Sequence, residues 1–324
     1  VFVWNTETGE KVFRTQLAKN ARGVSACCIN ADGSLIATAD RSNDHIVSVF
    51  DTASGDCKYQ EKGGPDQIHD MAFAQDGSNS FWSVGVKHFA HHNIDAHKRK
   101  KGLFGDHDRC SFACVAASPE GKVFAGGDNA RIYVWRGNTC VETLAYHRPP
   151  GFVGAITVAD GCVFSGGKDG RVVIFSAETH EQQNVIEFGV LPRAIDVFGG
   201  KMVVGLRTGS IVECDMESGE MTTHVESHNS GEVWGLDIKD GFVYTAGDDN
   251  QVIKWDPATR RCADRSIVNE ASRKARKNKA STLSQHPHSQ QARAVAVSCT
   301  GWMAVAANDG SVTIRRTEEM STVV

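Results

Sequence analysis

Histidine, hydroxyl, carboxylate and indole side chains occur in one stretch of the chain at spacings that could support chemistry. Thr245 precedes Asp249 by four residues, Trp255 follows Asp249 by six, and His228 lies upstream of all three. A histidine, a hydroxyl and a carboxylate are the parts of a nucleophilic triad, which is defined by geometry and not by order in the chain. The same residue types can also form a buried hydrogen-bonded set that ties neighbouring strands together.

Part of this spacing is repeated, and the repetition favours the structural interpretation. Ser165 precedes Asp169 by four residues and Phe175 follows by six, while Asn129 and Trp135 keep half of the pattern. A catalytic triad occurs once in a chain, and the sequence has no Gly-x-Ser-x-Gly loop to expose a nucleophile. We therefore predict that the chain is not an enzyme. The predicted structural polar set comprises His228, Thr245, Asp249, Trp255, Ser165 and Asp169.

Several histidines and cysteines could ligate a metal ion, but their spacing does not favour one. Adjacent strand residues point to opposite faces, so His91 and His92 cannot readily share an ion. Cys110 and Cys114 are expected to share a face, without the second cysteine pair of a zinc site. The Asp-rich turns offer too few oxygen ligands for Ca²⁺. We predict no metal and no cofactor, and this prediction includes the remaining candidate ligands His88, His286 and His288.

Two basic runs are candidates for binding a partner. The first reads HKRKK and the second RKARKNK, and each could be attracted to an acidic surface or could be an ordinary solvated loop. No aromatic residues separate the charges of the second run, so stacking on nucleic-acid bases is not predicted. The basic candidates are Lys98, Arg99, Lys100, Lys101, Arg273, Lys274, Arg276, Lys277 and Lys279. Trp234 is expected in the core, with an interface anchor at a rim as the alternative.

The overall composition excludes several classes of protein. The 324 residues carry 35 Lys and Arg against 39 Asp and Glu, a formal charge of -4, which disfavours a protein that binds nucleic acid over its whole surface. No run of about 18 apolar residues is present, so a membrane span is not expected. The 10 cysteines form no framework and predict reduced thiols in a cytosolic-type compartment. The opening VFVWN is typical of the middle of a strand, so we expect a fragment.

A short apolar strand recurs along the whole chain, and its period predicts the fold. Successive copies are 39 to 46 residues apart, except for a last step of 60. A propeller blade of four strands takes about 40–45 residues, and a ring of blades buries both faces of every sheet. Asp-Gly and Gly-Gly pairs between alternating strands are typical of hairpins. The sequence therefore predicts an all-β propeller of about seven four-stranded WD-type blades, some of them atypical. One position near the end of each copy is usually aromatic, and we call it the aromatic slot. It is occupied by Trp4, Phe50, about His91, Trp135, Phe175, Cys214, Trp255 and Arg315.

Several of these blades resemble the first propeller of the echinoderm microtubule-associated protein-like family. The resemblance covers about residues 1–265 and rests on RSNDHIVSVFD, VGVKHFAHHN with KGLFGDHD, GGKDGRVVIF, and HNSGEVWGLDI before VYTAGDDNQVIKWD. It implies association with tubulin, microtubules or other microtubule-associated proteins in the cytoplasm and cytoskeleton, including the axoneme of a cilium or flagellum. The family's signature motif and any oligomerising coiled coil would lie upstream of Val1.

These observations predict three segments and a scaffold function. Residues 1–266 form propeller blades, 267–291 form a basic polar insertion, and 292–324 form either a closing blade or the first blade of a second propeller. Val12–Leu17 could complete the blade of Ala294–Arg316, or it could belong to an upstream blade. The predicted function is a non-catalytic scaffold that binds microtubule proteins, with no nucleic-acid or membrane partner. The alternatives are a generic WD-repeat adaptor of another complex and, less favoured, a propeller hydrolase.

Overall fold

The computed structural model describes residues 2–4, 7–14, 21–228, 231–268, 291–298, 300–308, 310–318 and 320. Within these ranges every regular element is a β-strand, and no helix is long and apolar enough to cross a membrane. The chain divides into two compact units. The first comprises Val1–Val204 with Cys214–Glu220, and the second comprises Gly205–Glu213 with Met221–Val324.

The first unit contains a short hairpin and four complete four-stranded antiparallel sheets. In each of these sheets the strands are paired in chain order. The hairpin is β1 (Phe2–Trp4) and β2 (Lys11–Arg14). The four sheets are β3 (Val24–Ile29), β4 (Leu35–Asp40), β5 (Ile46–Asp51), β6 (Cys57–Lys62); β7 (Ile68–Phe73), β8 (Ser80–Gly85), β9 (His88–Asn93), β10 (Lys98–Lys101); β11 (Phe112–Ala117), β12 (Lys122–Gly127), β13 (Ile132–Arg136), β14 (Thr139–Leu144); and β15 (Val153–Ala159), β16 (Cys162–Gly167), β17 (Arg171–Ser176), β18 (Gln182–Glu187).

A fifth four-stranded sheet has strands in both units, and the second unit holds two more sheets. The fifth sheet is β19 (Pro192–Phe198), β20 (Lys201–Leu206), β21 (Ile211–Asp215) and β22 (Met221–Val225). The sixth is β23 (Val233–Lys239), β24 (Phe242–Gly247), β25 (Gln251–Asp256) and β26 (Arg261–Ile267). The seventh has three strands among the described residues, β27 (Ala292–Val297), β28 (Trp302–Ala307) and β29 (Val312–Arg316).

Neighbouring sheets of the first unit pack face to face through apolar and aromatic side chains. Trp135 and Phe112 of the third sheet share one cluster with Phe89 of the second, and the rings of Phe89 and Trp135 stack with centroids 3.7 Å apart. Phe124 and Phe175 join the third sheet to the fourth in the same way. Because both faces are covered, the second strand of each sheet is buried almost throughout, whereas the outer strands are largely exposed.

Tight Asp-Gly turns connect the first two strands of two sheets. Asp160 and Gly161 have φ values of 50° and 72°, and Asp240 and Gly241 have φ values of 51° and 78°. Two successive positive φ angles give a two-residue hairpin turn whose twist matches that of the strands. Aspartate, which tolerates a positive φ, followed by glycine therefore suits these turns.

The predicted all-β propeller of WD-type blades is confirmed, with differences at its ends. Six sheets have four strands, the seventh has three in the described part of the chain, and β1 and β2 pair only with each other there. Residues 15–20 lie outside the described residues, so the blade that Val12–Leu17 completes stays a prediction. The same holds for the assignment of 292–324 to this propeller or to a second one, and residues 269–290 of the predicted insertion are likewise not described.

Candidate partner-binding site

The sixth sheet brings together all four members of the first polar set. His228 precedes β23, and its Nδ1 lies 2.9 Å from Asp249 Oδ1 while its Nε2 lies 2.8 Å from Thr245 Oγ1. Trp255 Nε1 donates to the same Thr245 oxygen at 2.7 Å. An indole nitrogen can only donate, so the Thr245 oxygen accepts from Trp255. A hydroxyl has one proton and two lone pairs, which leaves Thr245 able to bond His228 Nε2 as well. The set therefore ties the loop before β23 to β24, β25 and the turn between them.

The fourth sheet contains a second set, with a histidine that the sequence analysis missed. His147 Nδ1 lies 3.0 Å from Asp169 Oδ1, and His147 Nε2 lies 3.0 Å from Ser165 Oγ. The spacing could have revealed it, because His147 precedes Ser165 by 18 residues and His228 precedes Thr245 by 17. Burial lowers the pKa of His147, so a neutral imidazole bonds an ionised Asp169. Ser165 is fully buried and bonded, and cannot approach a substrate.

A glycine makes room for each of these two sets. A Cβ atom on Gly167 would lie 2.2 Å from His147 Nδ1 and 2.6 Å from Asp169 Oδ1. On Gly247 it would lie 2.9 Å from His228 Nδ1. Real Cβ contacts are longer than this, so any other residue would push the histidine away from its carboxylate. The spacing of the residues alone does not assign this role to either glycine.

The third sheet has the indole of a polar set without its hydroxyl. Trp135 is fully buried, and its Nε1 has no hydrogen-bond partner within the described ranges. Ala125 occupies the position on β12 that Thr245 occupies on β24, as the pairings Val123–Trp135 and Val243–Trp255 show. Trp135 Nε1 therefore lacks an acceptor because Ala125 stands where the sixth sheet has Thr245. Asn129 bonds Tyr133 instead, with its Nδ2 2.9 Å from the phenol oxygen.

The second sheet uses a different polar set, and it corrects the assignment of its aromatic slot. His92, not His91, pairs with Phe81 and so occupies the slot that Trp255 fills opposite Val243. His91 instead stacks on Trp82, on the other face of the strand. The one-residue error arose because the degenerate repeat does not fix the register, which only strand pairing defines.

In this sheet one hydroxyl bonds two buried histidines. Ser83 Oγ lies 2.8 Å from both His88 Nε2 and His92 Nε2, and Tyr59 Oη lies 3.0 Å from His92 Nδ1. Burial, followed by the charge of Arg99, lowers the pKa of His88 to about 4 and that of His92 well below its usual range. Both rings are therefore neutral at physiological pH, and each can donate one proton and accept another.

The metal interpretation of the histidines and cysteines finds no support in the described residues. No group of three or more potential ligands converges there, and His286 and His288 lie outside them. The expectation that Cys110 and Cys114 share a face was wrong. A bulge between Phe112 and Cys114 separates them, so Cys110 packs with Phe112 in one cluster and Cys114 packs with Phe124 in the next.

The first basic run is the outer strand β10, and its charges divide between two faces. Arg99 and Lys101 line a cavity of about 610 Å³ that is also lined by Lys87, His88 and Arg109. Lys98 and Lys100 line a separate depression of about 150 Å³ on the other face, beside His91 and Asn93. Successive residues of a strand point to opposite faces, so this one basic run contributes to two separate surfaces. The second basic run, from Arg273 to Lys279, lies outside the described residues.

Trp234 is exposed, which corrects the expectation that it lies in the core. Its side chain is 52% exposed, its Nε1 donates to Asp248 at 2.8 Å, and the Arg293 guanidinium lies 4.4 Å from the ring centroid. The physical reason is a β-bulge between Val233 and Gly235, which takes Trp234 out of the regular alternation of the strand. A Trp with a polar handle and a stacked cation remains a candidate interface residue.

Comparison with known proteins places these features in a class. The family model described as "WD domain, G-beta repeat" matches residues 11–51. The crystal structure of the computationally designed Ika8 protein superposes with a TM-score of 0.56, covering 97% of this chain and 89% of that one. Their identity is 16%, so this likeness concerns the fold alone. The chain is a WD-repeat β-propeller protein.

Its relatives narrow the class further. The ciliary WD repeat-containing protein ctxp80 of Euplotoides octocarinatus is 39% identical over 97% of this chain and 45% of its own length. The 77 kDa echinoderm microtubule-associated protein of Strongylocentrotus purpuratus is 28% identical over 79% of this chain and 39% of its own length. Human echinoderm microtubule-associated protein-like 2 is 26% identical over 78% and 41%. The resemblance to the echinoderm microtubule-associated protein-like family is thus confirmed, and the chain spans less than half the length of these relatives.

Proposed function

We propose that this chain is a non-catalytic scaffold that binds tubulin, microtubules or microtubule-associated proteins in the cytoskeleton, and in the ciliary axoneme in particular. The observation that carries the proposal is its 39% identity to a ciliary WD-repeat protein over 97% of the chain. The similarity to microtubule-associated proteins of sea urchin and human supports the same partner. The burial of the Ser165 and Thr245 hydroxyls inside hydrogen-bonded sets supports a role without catalysis.

Two basic surfaces and one aromatic side chain are the proposed points of contact. The first surface is β10, whose four cations lie on an outer strand and are largely exposed. The second is the insertion with Arg273, Lys274, Arg276, Lys277 and Lys279. Exposed charges of this kind accelerate encounter with an acidic surface more than they hold a complex together, and salt screens them. Trp234, with its exposed ring, would contribute contact that salt does not weaken.

Co-sedimentation with polymerised microtubules over a salt series tests the proposal. The parent chain should sediment with microtubules at low salt and stay in the supernatant without them. Replacing the five basic residues of the insertion by Ser or Gln should weaken sedimentation at low salt, and the curves should converge at high salt. If the parent chain does not sediment at any salt concentration, the scaffold serves another complex, as a generic WD-repeat adaptor would.

A further inference from the structure

A cavity beside β10 in the first unit has a strongly charged lining. Its volume is about 610 Å³. Four cationic side chains line it from three separate segments, namely the turn before β9, the strand β10 and the loop before β11. They are Lys87, Arg99, Lys101 and Arg109. Asp66 is the one carboxylate in the lining, and none of the four cations forms an ion pair with any described residue.

Arg99 is held in place before any ligand arrives. Its Nη1 donates to the backbone carbonyl of Lys62 at 2.6 Å, and its Nε is buried without a hydrogen-bond partner among the described residues. Burial lowers the pKa of Arg99, which means that its charge is incompletely solvated, and exposed Glu61 opposes this shift most. A guanidinium that is fixed on one side and unsatisfied on the other is organised to receive an anion.

The wall and floor of the cavity are rigid and apolar. Phe89 and Phe104 belong to the lining, and both rings pack on Trp135, with centroid distances of 3.7 Å and 5.0 Å. Gly64 has no side chain to fill the space beside the Arg99 guanidinium, where a Cβ atom would be in van der Waals contact with Nη2 at 3.9 Å. The cations thus surround a low-dielectric surface, where their attraction for an anion is less screened than on an open surface.

The positive field of the cavity is already felt by a neighbouring group. His88 lines the cavity, and after burial the charges of Arg99, His45 and Lys101 are what lower its pKa. Burial is the main reason that the imidazole stays neutral, and the positive charges of Arg99 and Lys101 act in the same direction.

The spacing of the charges favours an extended chain of carboxylates over a single compact anion. Arg99 and Lys101 are two residues apart on one strand, so their side chains leave the backbone about 7 Å apart. Alternate side chains of an extended peptide repeat at the same distance. Lys87 and Arg109 lie on other segments, so the four charges are distributed around the cavity and do not converge on one point.

We propose that this cavity is a binding site for an acidic peptide segment, which lies along β10 and places the carboxylates of alternate glutamate or aspartate residues against Arg99 and Lys101. This proposal does not rest on microtubule binding, because an acidic segment of any protein partner could occupy the cavity. Phe89 and Phe104 would contact the aliphatic parts of the same side chains.

The test is fluorescence anisotropy of a labelled hexaglutamate peptide, with hexaglutamine as the neutral counterpart. The chain offers a matched pair of variants on one strand. The double variant Arg99→Gln/Lys101→Gln removes two charges from the cavity, and Lys98→Gln/Lys100→Gln removes two from the opposite face. The first should weaken hexaglutamate binding at least about tenfold and the second less than about threefold. Hexaglutamine should not bind measurably.

Further arms keep the test decisive. Because Arg99 is partly buried, the single variants Lys101→Gln and Arg99→Lys provide exposed and conservative changes, and each should bind with intermediate affinity. Equal weakening by the two double variants would overturn the proposal, since it would show attraction to net charge alone. Binding of inorganic phosphate without any binding of hexaglutamate would also overturn the proposal, because it would indicate a site for a compact anion.

Discussion

Tyr59 on the outer strand β6 reaches into the next sheet and places its phenol oxygen 3.0 Å from Nδ1 of His92, in the slot that an aromatic residue usually fills. The ring of Phe81 stacks on His92 with centroids 4.4 Å apart. The seventh sheet has a similar solution, because Arg315 occupies that slot and donates to the Ile267 carbonyl on the preceding outer strand β26 at 3.0 Å. In these two sheets the polar side chain in the slot thus has a hydrogen-bond partner on the outer strand of the sheet before it.

Tyr59→Phe should therefore destabilise the fold. The change keeps the ring but leaves His92 Nδ1 buried without a partner, which costs about 1–3 kcal/mol. Urea denaturation of the two proteins would measure the loss. His92→Phe provides the matched background, because phenylalanine fills the same slot in the first and fourth sheets as Phe50 and Phe175. In that background Tyr59→Phe should cost nothing or stabilise, and an equal loss in both backgrounds would refute the coupling.

Thr245→Val and Thr245→Ser should separate the hydroxyl of the sixth sheet from its methyl group. Valine has the same shape as threonine but leaves both Trp255 Nε1 and His228 Nε2 without their partner, so the free energy of unfolding should fall by about 2–4 kcal/mol. Serine keeps the oxygen and should cost about 1 kcal/mol. If both variants are equally stable in urea denaturation, the polar set does not contribute to stability.

Ala125→Ser should stabilise the third sheet by supplying the acceptor that Trp135 lacks. Ser165 and Thr245 show that a hydroxyl fits at this position of the second strand. A new hydrogen bond to a buried indole should add about 1 kcal/mol. The control is the same substitution in a Trp135→Phe background, where no N–H is present and the gain should disappear. A gain that persists there would assign it to packing instead of the hydrogen bond.

The sequence predicts the repeat well and its local irregularities poorly. Period-2 alternation and the Asp-Gly turns are local signals, so the sheets and the set around His228 follow from them. The role of His147 could have been predicted from its spacing to Ser165. The positions of Cys110 and Trp234 could not be predicted from the sequence, because each depends on a bulge that inserts one residue into a strand. The basic cavity also needed the structure, since alternation divides the charges of β10 but does not show what they face.

Acid should destabilise the second sheet through its neutral histidines. The pKa of His88 is lowered to about 4, whereas an unfolded histidine has a pKa of about 6.5. Between these pH values His88 is protonated in the unfolded chain but neutral in the folded chain. The free energy of unfolding therefore falls as the pH falls from about 6.5 to about 4. His88 alone contributes about 3 kcal/mol over this window, and His92 acts in the same direction.

Asp70 on β7 opposes this trend, so variants must separate the groups. Burial raises the pKa of Asp70 to about 6, and its carboxylate accepts a hydrogen bond from the Val115 backbone N–H at 2.9 Å. Between pH 6 and its unfolded value the folded state binds the extra proton, which stabilises the protein as the pH falls. The parent chain should therefore show a smaller dependence on pH than the histidines alone would give.

His88→Asn isolates the histidine contribution. An amide can keep a hydrogen bond to Ser83 but does not titrate, so the variant should lose less stability than the parent on acidification from about pH 6.5 to about pH 4. Burial lowers the pKa of His88 most, and the charges of Arg99, His45 and Lys101, which face it, act in the same direction. Urea denaturation at several pH values gives the difference between the two proteins. Parallel pH profiles for the variant and the parent would show that the pKa of His88 is not lowered in the folded state.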